Sequence, residues 1–323
     1  RATALAAAPL DLLSWACAAL ELPESGARVV PVAGDASARR YFRLSHGAST
    51  WMLADSPPAS QKNPEFLAIR ALLAESGIRV PDLAAADIER GYLLLEDFGD
   101  ALLLPELSEE SAEEAYLPAF RILEQLAAIP VAGLELPAYD TALLSEELGR
   151  FGEWFVEALL GHALSDNERE TIAGLERSLI ASALEQPRAL VHRDFHSRNL
   201  MCLPDGELGV IDFQDAVVGP ITYDPVSLLK DCYIRWPRER VETWALAHRT
   251  RLVESGLLSD VEERVFLRWF DWMGLQRHIK VLGTFARLYL RDGKAGYLAD
   301  LPLVVTYIEE TLALYASSSP EFA

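Results

Sequence analysis

The chain contains 323 residues, of which 50% are hydrophobic and 24% charged, a balance typical of a folded protein rather than a disordered one. Its formal net charge of −20 at pH 7 repels nucleic-acid phosphates and anionic lipid surfaces, so neither is expected as a partner. The length exceeds that of most single domains and predicts two lobes. No segment approaches the ~18 consecutive apolar residues that cross a bilayer, which argues against a membrane protein.

The cysteines and the N-terminal segment indicate a reducing compartment. Cys17, Cys202 and Cys232 are odd in number and widely spaced, without the paired spacing of a zinc site or a disulfide framework. Residues 1–20 are rich in alanine, but Asp11 interrupts the apolar stretch and no cleavage pattern follows. This segment therefore predicts an amphipathic helix rather than a signal peptide. We expect a cytoplasmic protein.

The first hundred residues predict an antiparallel sheet with one helix in its middle. The five β-prone runs are Val29–Val32, Tyr41–Leu44, Trp51–Ala54, Val80–Asp87 and Gly91–Glu96. Asn63-Pro64 opens a helix with one apolar face. Gly77 stands where a left-handed turn would end that helix.

From about residue 100 the pattern changes to helices, which sets a predicted boundary between residues 1–100 and residues 101–323. The predicted helices are 108–129, 141–161, 165–186, 237–255, 259–289 and 302–316. N-cap patterns at two of these starts are Ser108 to Ser111 and Ser165 to Glu168. Residues 189–215 differ, because short apolar runs flank a Pro204-Asp205-Gly206 turn and predict a hairpin. The expected fold class is α+β, with a second lobe that is mainly helical.

The stretch most informative about chemistry is His192-Arg193-Asp194-Phe195-His196-Ser197-Arg198-Asn199, followed by Ile211-Asp212-Phe213. A phosphoryl donor needs magnesium to neutralise its terminal oxygens, and an acceptor hydroxyl needs a carboxylate to take its proton. In this interpretation Asp194 is the catalytic base, while Asn199 and Asp212 supply oxygen ligands to Mg²⁺. A turn or a helix cap explains any one of these residues alone, but their combination favours catalysis.

The spacing H-x-D-x-x-x-x-N with the downstream I-D-F resembles the catalytic and metal loops of the aminoglycoside phosphotransferase and protein-kinase-like superfamily. Further stretches resemble one branch of it, the anomeric amino-sugar kinases of bacterial cell-wall recycling. These stretches are residues 34–43, 94–100, 212–216, 223–224, 231–236 and 276–283. The resemblance covers nearly the whole chain and implies a bilobal protein-kinase-like fold with an N-terminal nucleotide-binding lobe.

The same resemblance implies where ATP binds. Residues 34–40 would cover the nucleotide phosphates, and the backbone of residues 96–98 would be the hinge that holds adenine. The residues expected to contact the nucleotide are Gly34, Asp35, Ser37, Arg40, Arg43, Glu96 and Phe98. Taken alone, Gly34-Asp35-Ala36-Ser37 is as typical of a simple hairpin turn as of a phosphate-binding loop. His192 and Asp224 would be structural, because they would brace the catalytic loop with hydrogen bonds.

One departure from the superfamily pattern concerns the third strand, Trp51–Ala54, which lacks the usual phosphate-binding lysine. Arg40, Arg43 or Lys62 is then the candidate source of the positive charge. Arginine suits bidentate contact with phosphate, and we favour Arg43.

Charged residues near the loop and on later helices are candidates for the acceptor site, although solvated helix faces carry most such charges. These candidates are His196, Arg198, Asp215, Arg235 and Lys280. The resemblance implies an ATP-dependent phosphotransferase with an alcohol acceptor, the anomeric hydroxyl of N-acetylmuramate or N-acetylglucosamine. Two alternatives stay open: a kinase of another small hydroxyl acceptor, such as an aminoglycoside, choline or homoserine, and a nucleotide-binding pseudokinase without activity.

Overall fold

The computed structural model describes residues 7–32, 39–317 and 322, which form two compact units. The first unit contains the described residues up to Leu102 together with Leu200–Gln214. The second contains Leu103–Asn199 and the described chain from Asp215 onward. The predicted boundary near residue 100 assigned Leu200–Gln214 to the second lobe, whereas the contacts of this segment group it with the first unit.

The first unit is built on an antiparallel sheet of five strands, which confirms the predicted architecture. The strands are β1 (Ala27–Val32), β2 (Arg40–His46), β3 (Ser49–Asp55), β4 (Leu83–Asp87) and β5 (Tyr92–Glu96). Their order in the sheet is β1-β2-β3-β5-β4. Phe42 and Leu44 of β2 are buried, because every second side chain of a strand points to the same face. β5 lies between two neighbours and buries Tyr92 to Leu95 without a break.

Two helices belong to this unit, α1 (Leu12–Ala19) and α2 (Asn63–Glu75). Leu12 and Ala16 of α1 are fully buried and pack in one cluster with side chains of the sheet. The apolar face predicted for α2 is buried as well. Gly77 follows α2 with φ of 77°, the left-handed conformation predicted to end this helix.

Four further strands are short: β6 (Arg188–Val191), β7 (Leu200–Cys202), β8 (Leu208–Val210) and β9 (Val217–Pro220). β7 and β8 form the predicted hairpin, and Gly206 in its turn has φ of 84°. The Cys202 amide donates to the Ala101 carbonyl oxygen at 2.7 Å, and the Val210 amide donates to the Arg79 carbonyl oxygen at 2.8 Å. These two hydrogen bonds explain why the hairpin belongs to the first unit.

β6 and β9 pair antiparallel within the second unit, although the sequence does not predict β9. Both strands have only four residues, which is too short for a clear alternation. Close packing favours glycine at position 219 of β9, because a Cβ there would lie 3.0 Å from the Cβ of Tyr139. The loop that carries Asp194 begins where β6 ends.

Seven helices make up most of the described second unit, and short 3₁₀ turns occupy Leu104–Glu106 and Ala295–Asp300. The helices are α3 (Ala112–Ala128), α4 (Thr141–Arg150), α5 (Asp166–Glu185), α6 (Tyr223–Leu229), α7 (Arg238–Glu254), α8 (Glu263–Asp292) and α9 (Leu301–Tyr315). The predicted cap of α5 is confirmed as a reciprocal capping box between Ser165 and Glu168. α3 begins at Ala112, later than predicted, and the Ser108 hydroxyl accepts the Ser111 amide at 3.1 Å in the turn before it. Within the described ranges, no helix combines the length and the apolar composition needed to cross a bilayer.

The helix predicted over residues 141–161 is regular only in its first half. At Arg150 the α-helix passes into a π-helix, Phe151–Leu159. α8 approaches the chain closely at this junction, because a Cβ on Gly283 would lie 2.5 Å from the carbonyl carbon of Arg150. Only glycine fits so close an approach, so packing between helices determines residue 283.

Candidate active site

Backbone hydrogen bonds to the Asp224 carboxylate fix the start of the loop between β6 and β7. The Asp224 carboxylate, in α6, accepts the backbone N–H of His192 at 2.6 Å and that of Arg193 at 3.0 Å. Nδ1 of the His192 ring accepts the backbone N–H of Asp194 at 3.2 Å. Asp224 is 3% exposed, so solvent does not compete for these bonds. The backbone position of Asp194 is therefore set by buried groups.

A second buried aspartate, Asp231, holds the other half of the loop and was not among the predicted site residues. Its carboxylate accepts the Ser197 backbone N–H at 2.9 Å and also the Ser197 hydroxyl. Asn199 ties the loop to itself, because its Nδ2 donates to the Asp194 carbonyl oxygen at 2.9 Å. Asp194 and Asn199, five residues apart, are thus brought together as the sequence spacing suggests.

Two residues of the candidate site have a strained backbone conformation. Arg193 has φ of 78° and Asp212 has φ of 61°, a left-handed conformation that is unfavourable for residues other than glycine. Among the described residues, only Glu21 shares this property. Such strain costs roughly 1–3 kcal/mol per residue and concentrates at functional sites, where the surrounding structure enforces it. One strained residue directly precedes Asp194, and the other is the predicted metal ligand.

The Asp194 carboxylate is ionised and open to a ligand. Burial raises its pKa, but the positive charges of Lys280, His196 and Arg277 outweigh that effect and hold the pKa below the ordinary value. No group in the described part of the chain donates a hydrogen bond to its carboxylate oxygens. An ionised, accessible carboxylate in a cationic setting is suited to accept a proton from a bound hydroxyl.

A buried ionic network lies next to this loop and centres on Glu147, a residue that the sequence did not single out. Its carboxylate is fully buried and pairs with Arg193, with Tyr139 and, at 3.1 Å, with Nζ of Lys280. Nζ of Lys280 also donates to the Tyr223 hydroxyl at 3.0 Å. Lys280, predicted to bind the acceptor, thus already has two protein partners. The sequence does hold one sign of this buried charge: Glu147 lies on the apolar stripe of α4, between Leu144 and Leu148.

The two predicted metal ligands present oxygen atoms of the kind that Mg²⁺ prefers. Because Nδ2 of Asn199 is used within the loop, its Oδ1 is the atom left for a metal. One carboxylate oxygen of Asp212 accepts from Nε2 of Gln214 at 2.6 Å, and the Asp212 side chain is exposed. The described residues hold no cluster of three or more His, Cys, Asp or Glu side chains with metal-binding geometry. Amide and carboxylate oxygens are both ligands that Mg²⁺ accepts, so each residue taken separately fits its predicted role.

The predicted phosphate-binding arginines both pair with carboxylates. Gly34, Asp35 and Ser37 lie outside the described residues. Arg40 donates to Asp55, with 2.9 Å between Nε and Oδ2. Arg43 forks between Asp97, at 2.6 Å, and Asp100, at 2.8 Å. The favoured role of Arg43 at the phosphates therefore competes with two ion pairs and stays a prediction.

Arg39, which the sequence analysis did not nominate, lies in a setting that suits phosphate better. Its side chain is buried, donates to the Ser56 hydroxyl at 2.9 Å and lies over the Phe66 ring at 4.4 Å. Phe66 in turn stacks on Phe213, with 5.0 Å between the ring centroids. The charge of Arg39 lowers the pKa of the Tyr41 hydroxyl and the charge of Asp212 raises it, so both groups lie near this ring. A buried cation therefore lies in the same neighbourhood as the predicted metal ligand.

The predicted hinge offers one backbone donor. The Glu96 carboxylate pairs with Arg79, with 2.7 Å between Oε2 and NH1, and its amide donates to the Asp82 carbonyl oxygen at 2.8 Å. Within the described residues, the Phe98 amide donates no hydrogen bond. The Phe98 ring packs so tightly on β8 that a Cβ on Gly209 would lie 2.4 Å from it.

The remaining acceptor-site candidates fall into two groups. Arg198 lies over the Tyr233 ring at 4.4 Å, and His196 meets the same ring edge-on at 5.3 Å, so these two share a neighbour. Arg235 pairs with Glu310, and both side chains are nearly half exposed. Asp215 is exposed, and only its carbonyl oxygen contacts the loop, where it accepts from Arg193. His196 and Arg198 thus share Tyr233 as a neighbour, while Arg235 is paired with Glu310.

Comparison with known proteins assigns this chain to a family. A family model described as "Phosphotransferase enzyme family" matches residues 28–257. The chain belongs to this family. An N-acetylmuramate/N-acetylglucosamine kinase of Pseudomonas aeruginosa is 42% identical over 290 residues, covering 89% of this chain and 84% of the relative. A kinase of the same name from Neisseria meningitidis is 38% identical over 307 residues, covering 93% and 90% of the two chains.

Solved structures of this phosphotransferase fold agree with the architecture. An ethanolamine kinase of Plasmodium vivax superposes with a TM-score of 0.65 at 14% identity, covering 93% of this chain and 84% of that one. An ADP-bound aminoglycoside phosphotransferase superposes with a TM-score of 0.61 at 15% identity, covering 94% and 99%. These likenesses confirm the predicted protein-kinase-like fold, and the family membership confirms the predicted superfamily.

Proposed function

We propose that this phosphotransferase is an ATP-dependent sugar 1-kinase. It transfers the γ-phosphoryl group of ATP to the anomeric hydroxyl of N-acetylmuramate or N-acetylglucosamine and produces the α-1-phosphate. The observation that carries the proposal is the ionised, unbonded carboxylate of Asp194 in a loop held by Asp224 and Asp231. Two relatives that align over most of the chain bear the name of this activity. Such a product suits the recycling of cell-wall amino sugars in the cytoplasm, where ATP is available.

The proposed step is a displacement at phosphorus. The anomeric oxygen attacks the γ-phosphorus atom, the bond from phosphorus to the β,γ-bridging oxygen breaks, and ADP leaves with that electron pair. Asp194 takes the proton of the attacking hydroxyl as the new bond forms. Because the transition state is loose, positioning and charge stabilisation contribute more than covalent chemistry by the protein. The hydrogen bonds that fix the Asp194 backbone supply the positioning.

Asn199 and Asp212 are proposed to hold Mg²⁺. The metal, when bound, neutralises charge on the nucleotide phosphates. Asn199 contributes Oδ1, since its nitrogen is used inside the loop. Asp212 contributes a carboxylate oxygen, and the contact from Gln214 orients that group.

Nucleotide binding is proposed to use Arg39 and the hinge. Arg39 provides the positive charge that the third strand lacks, and its contacts with Ser56 and Phe66 hold the guanidinium in place. The Phe98 amide donates to adenine. Residues 34–38, with Gly34, Asp35 and Ser37, cover the phosphates in this proposal.

The charges around Asp194 favour a neutral or anionic acceptor. Two of the groups that lower its pKa, Lys280 and Arg277, are cations at neutral pH, and Lys280 has the stronger effect. An aminoglycoside or choline carries positive charge and needs carboxylates around it. The amino sugars are neutral or anionic, which matches this setting.

An acceptor panel tests the proposal. The enzyme is incubated with ATP and Mg²⁺ and, separately, with N-acetylmuramate, N-acetylglucosamine, choline, homoserine and kanamycin, and ADP release is followed in a coupled assay. We expect release with one or both N-acetylated sugars and none above background with the others. Turnover confined to choline, homoserine or kanamycin would refute the sugar assignment. No turnover with any acceptor would refute the proposal as a whole.

A further inference from the structure

One buried arginine of α8 has almost no protein partner. Arg277 is 4% exposed, and its one hydrogen bond runs from NH1 to the Cys232 sulfur at 3.6 Å. Its Nε is buried without a partner, and no ion pair forms between its guanidinium and any described carboxylate. A thiol is a weak acceptor, so the five N–H donors of this group are mostly unused.

The cations near Arg277 do not share this property. Arg193 and Lys280 pair with Glu147, and Lys230 pairs with Asp271 at 3.2 Å. A buried charge without a partner costs free energy, and proteins normally pair or neutralise it. Arginine stays protonated, so it cannot avoid that cost by losing its proton. An anion bound from solution would supply the missing partner.

The position of Arg277 points to the acceptor side of the proposed site. It lies one helical turn before Lys280 on α8, and its charge is among those that lower the pKa of Asp194. Its contact residue Cys232 directly precedes Tyr233, the ring that Arg198 and His196 contact. An aromatic ring with a polar hydroxyl suits the face of a sugar.

We propose that Arg277 binds the carboxylate of the acceptor sugar and thereby favours N-acetylmuramate over N-acetylglucosamine. This inference rests on the proposed sugar-kinase function. The two sugars differ only in the lactyl ether on O3, whose carboxylate is the single charged group of N-acetylmuramate. The planar guanidinium can hold a carboxylate through two parallel hydrogen bonds, which a lysine cannot match. Arg277 is thus a specificity-determining residue for the same reaction.

The test compares Arg277→Gln and Arg277→Lys with the wild-type enzyme. The readout is the ratio of kcat/KM for N-acetylmuramate to kcat/KM for N-acetylglucosamine, which cancels any loss of folded protein. We expect this ratio to fall about 10- to 100-fold in Arg277→Gln, the cost of one charge-assisted hydrogen-bonded pair, and to fall less in Arg277→Lys. Arg264→Gln is the control: it removes an arginine of the same helix whose side chain is 82% exposed and pairs with Glu262.

A second measurement does not depend on the variants. The methyl ester of N-acetylmuramate removes the negative charge, so the wild-type enzyme should use it about 10- to 100-fold less well than the free acid. A variant ratio within about twofold of the wild-type ratio, or equal use of ester and acid by the wild type, would overturn the role of Arg277 while leaving the sugar kinase intact. A wild-type enzyme inactive on both sugars would overturn the proposed function and this inference together.

Discussion

At the scale of single residues, the proposed catalysis depends on the Asp194 carboxylate and on the strained backbone beside it. Asp194 remains ionised although burial opposes its charge, and the residue before it has a left-handed backbone. These features are expensive for folding alone and are explained by binding and catalysis.

Replacing Asp194 by Asn tests the catalytic base. The side chain keeps its size but cannot accept a proton, and the loss of a positioned general base lowers turnover by ~10²- to 10⁴-fold. We expect kcat to fall by about this factor, while the Kd of ADP measured by calorimetry changes little. The control is Asp260→Asn, which makes the same change at a side chain that is 80% exposed and lies outside the candidate site. A kcat for Asp194→Asn within threefold of the wild type would remove Asp194 from its role.

Replacing Arg39 by Met tests which arginine substitutes for the missing lysine. Losing a charge-assisted contact of ~1.5–3 kcal/mol should raise the KM for ATP by about 10- to 100-fold. Arg43→Met should have the smaller effect, because that side chain is paired with Asp97 and Asp100. KM values measured at saturating sugar decide between them. A larger effect at Arg43 would restore the interpretation that the sequence favours.

At the scale of elements, two helices act through charged or polar side chains on their buried faces. α6 and the residues after it supply the aspartates that hold the catalytic loop, and α4 supplies Glu147. The sequence predicts α4 from its apolar stripe, but a glutamate within that stripe is ordinarily assigned to solvent. Pairing with cations from other elements explains its burial, and no local pattern reports such pairing.

α7 carries a histidine that should make stability depend on pH. His248 is 1% exposed and packs 5.7 Å from the Phe120 ring; burial, with the charge of Arg251, lowers its pKa to about 3. The unfolded chain binds this proton with a pKa of ~6.5, so stability is complete above that pH and is lost as the pH falls toward 3. Between pH 7.5 and pH 5 the loss from this group is about 2 kcal/mol.

His248→Gln removes this titration. The free energy of urea unfolding, measured at both pH values, should fall by about 2 kcal/mol less in the variant than in the wild type. Burial raises the pKa of Asp224 to about 6 and gives the opposite slope, but it does so in both proteins and cancels in the comparison. Parallel slopes for the two proteins would contradict the assignment.

At the scale of the whole molecule, the net charge of −20 makes nucleotide binding depend on cations. Mg²⁺ should therefore tighten ADP binding, and a ligand at 100 times its Kd stabilises the folded state by about 2.7 kcal/mol. We expect ADP with Mg²⁺ to raise the Tm by more than ADP with EDTA. In Asp212→Asn the added effect of Mg²⁺ should shrink, while the shift with EDTA persists. An equal effect of Mg²⁺ in the variant would exclude Asp212 as a ligand.

Much of the architecture is predictable from local sequence. The five strands, the Gly206 turn and the Ser165 cap follow from alternation and turn chemistry, and the structure contains each of them. The pairing of β6 with β9 could not be predicted, because strands of four residues are too short to show an alternation of apolar and polar residues. The π-helix after Arg150 also escaped prediction, since no local pattern distinguishes it from an α-helix.

The candidate site also contains residues that local sequence predicts and residues that it does not. The Asp194–Asn199 spacing is local, so the sequence indicates both residues at once. Arg277 and Asp231 are recognisable only through contacts made across the fold, because a charged side chain on a helix or in a loop is normally solvated. The sequence favours Arg43 over Arg40 and Lys62 for phosphate binding, and it gives no sign of the ion pairs that Asp97 and Asp100 make with Arg43 from a distant part of the chain.

The site of phosphorylation is tested by NMR of the product formed from ATP, Mg²⁺ and N-acetylglucosamine labelled with ¹³C at C1. We expect a ³¹P phosphomonoester signal that couples to the labelled carbon, and in the proton spectrum a small coupling between H1 and H2, which is diagnostic of the α anomer. Formation of this product should disappear with Asp194→Asn. A phosphorus signal that shows no coupling to C1, such as that of a 6-phosphate, or ADP formed without any sugar phosphate, would contradict it.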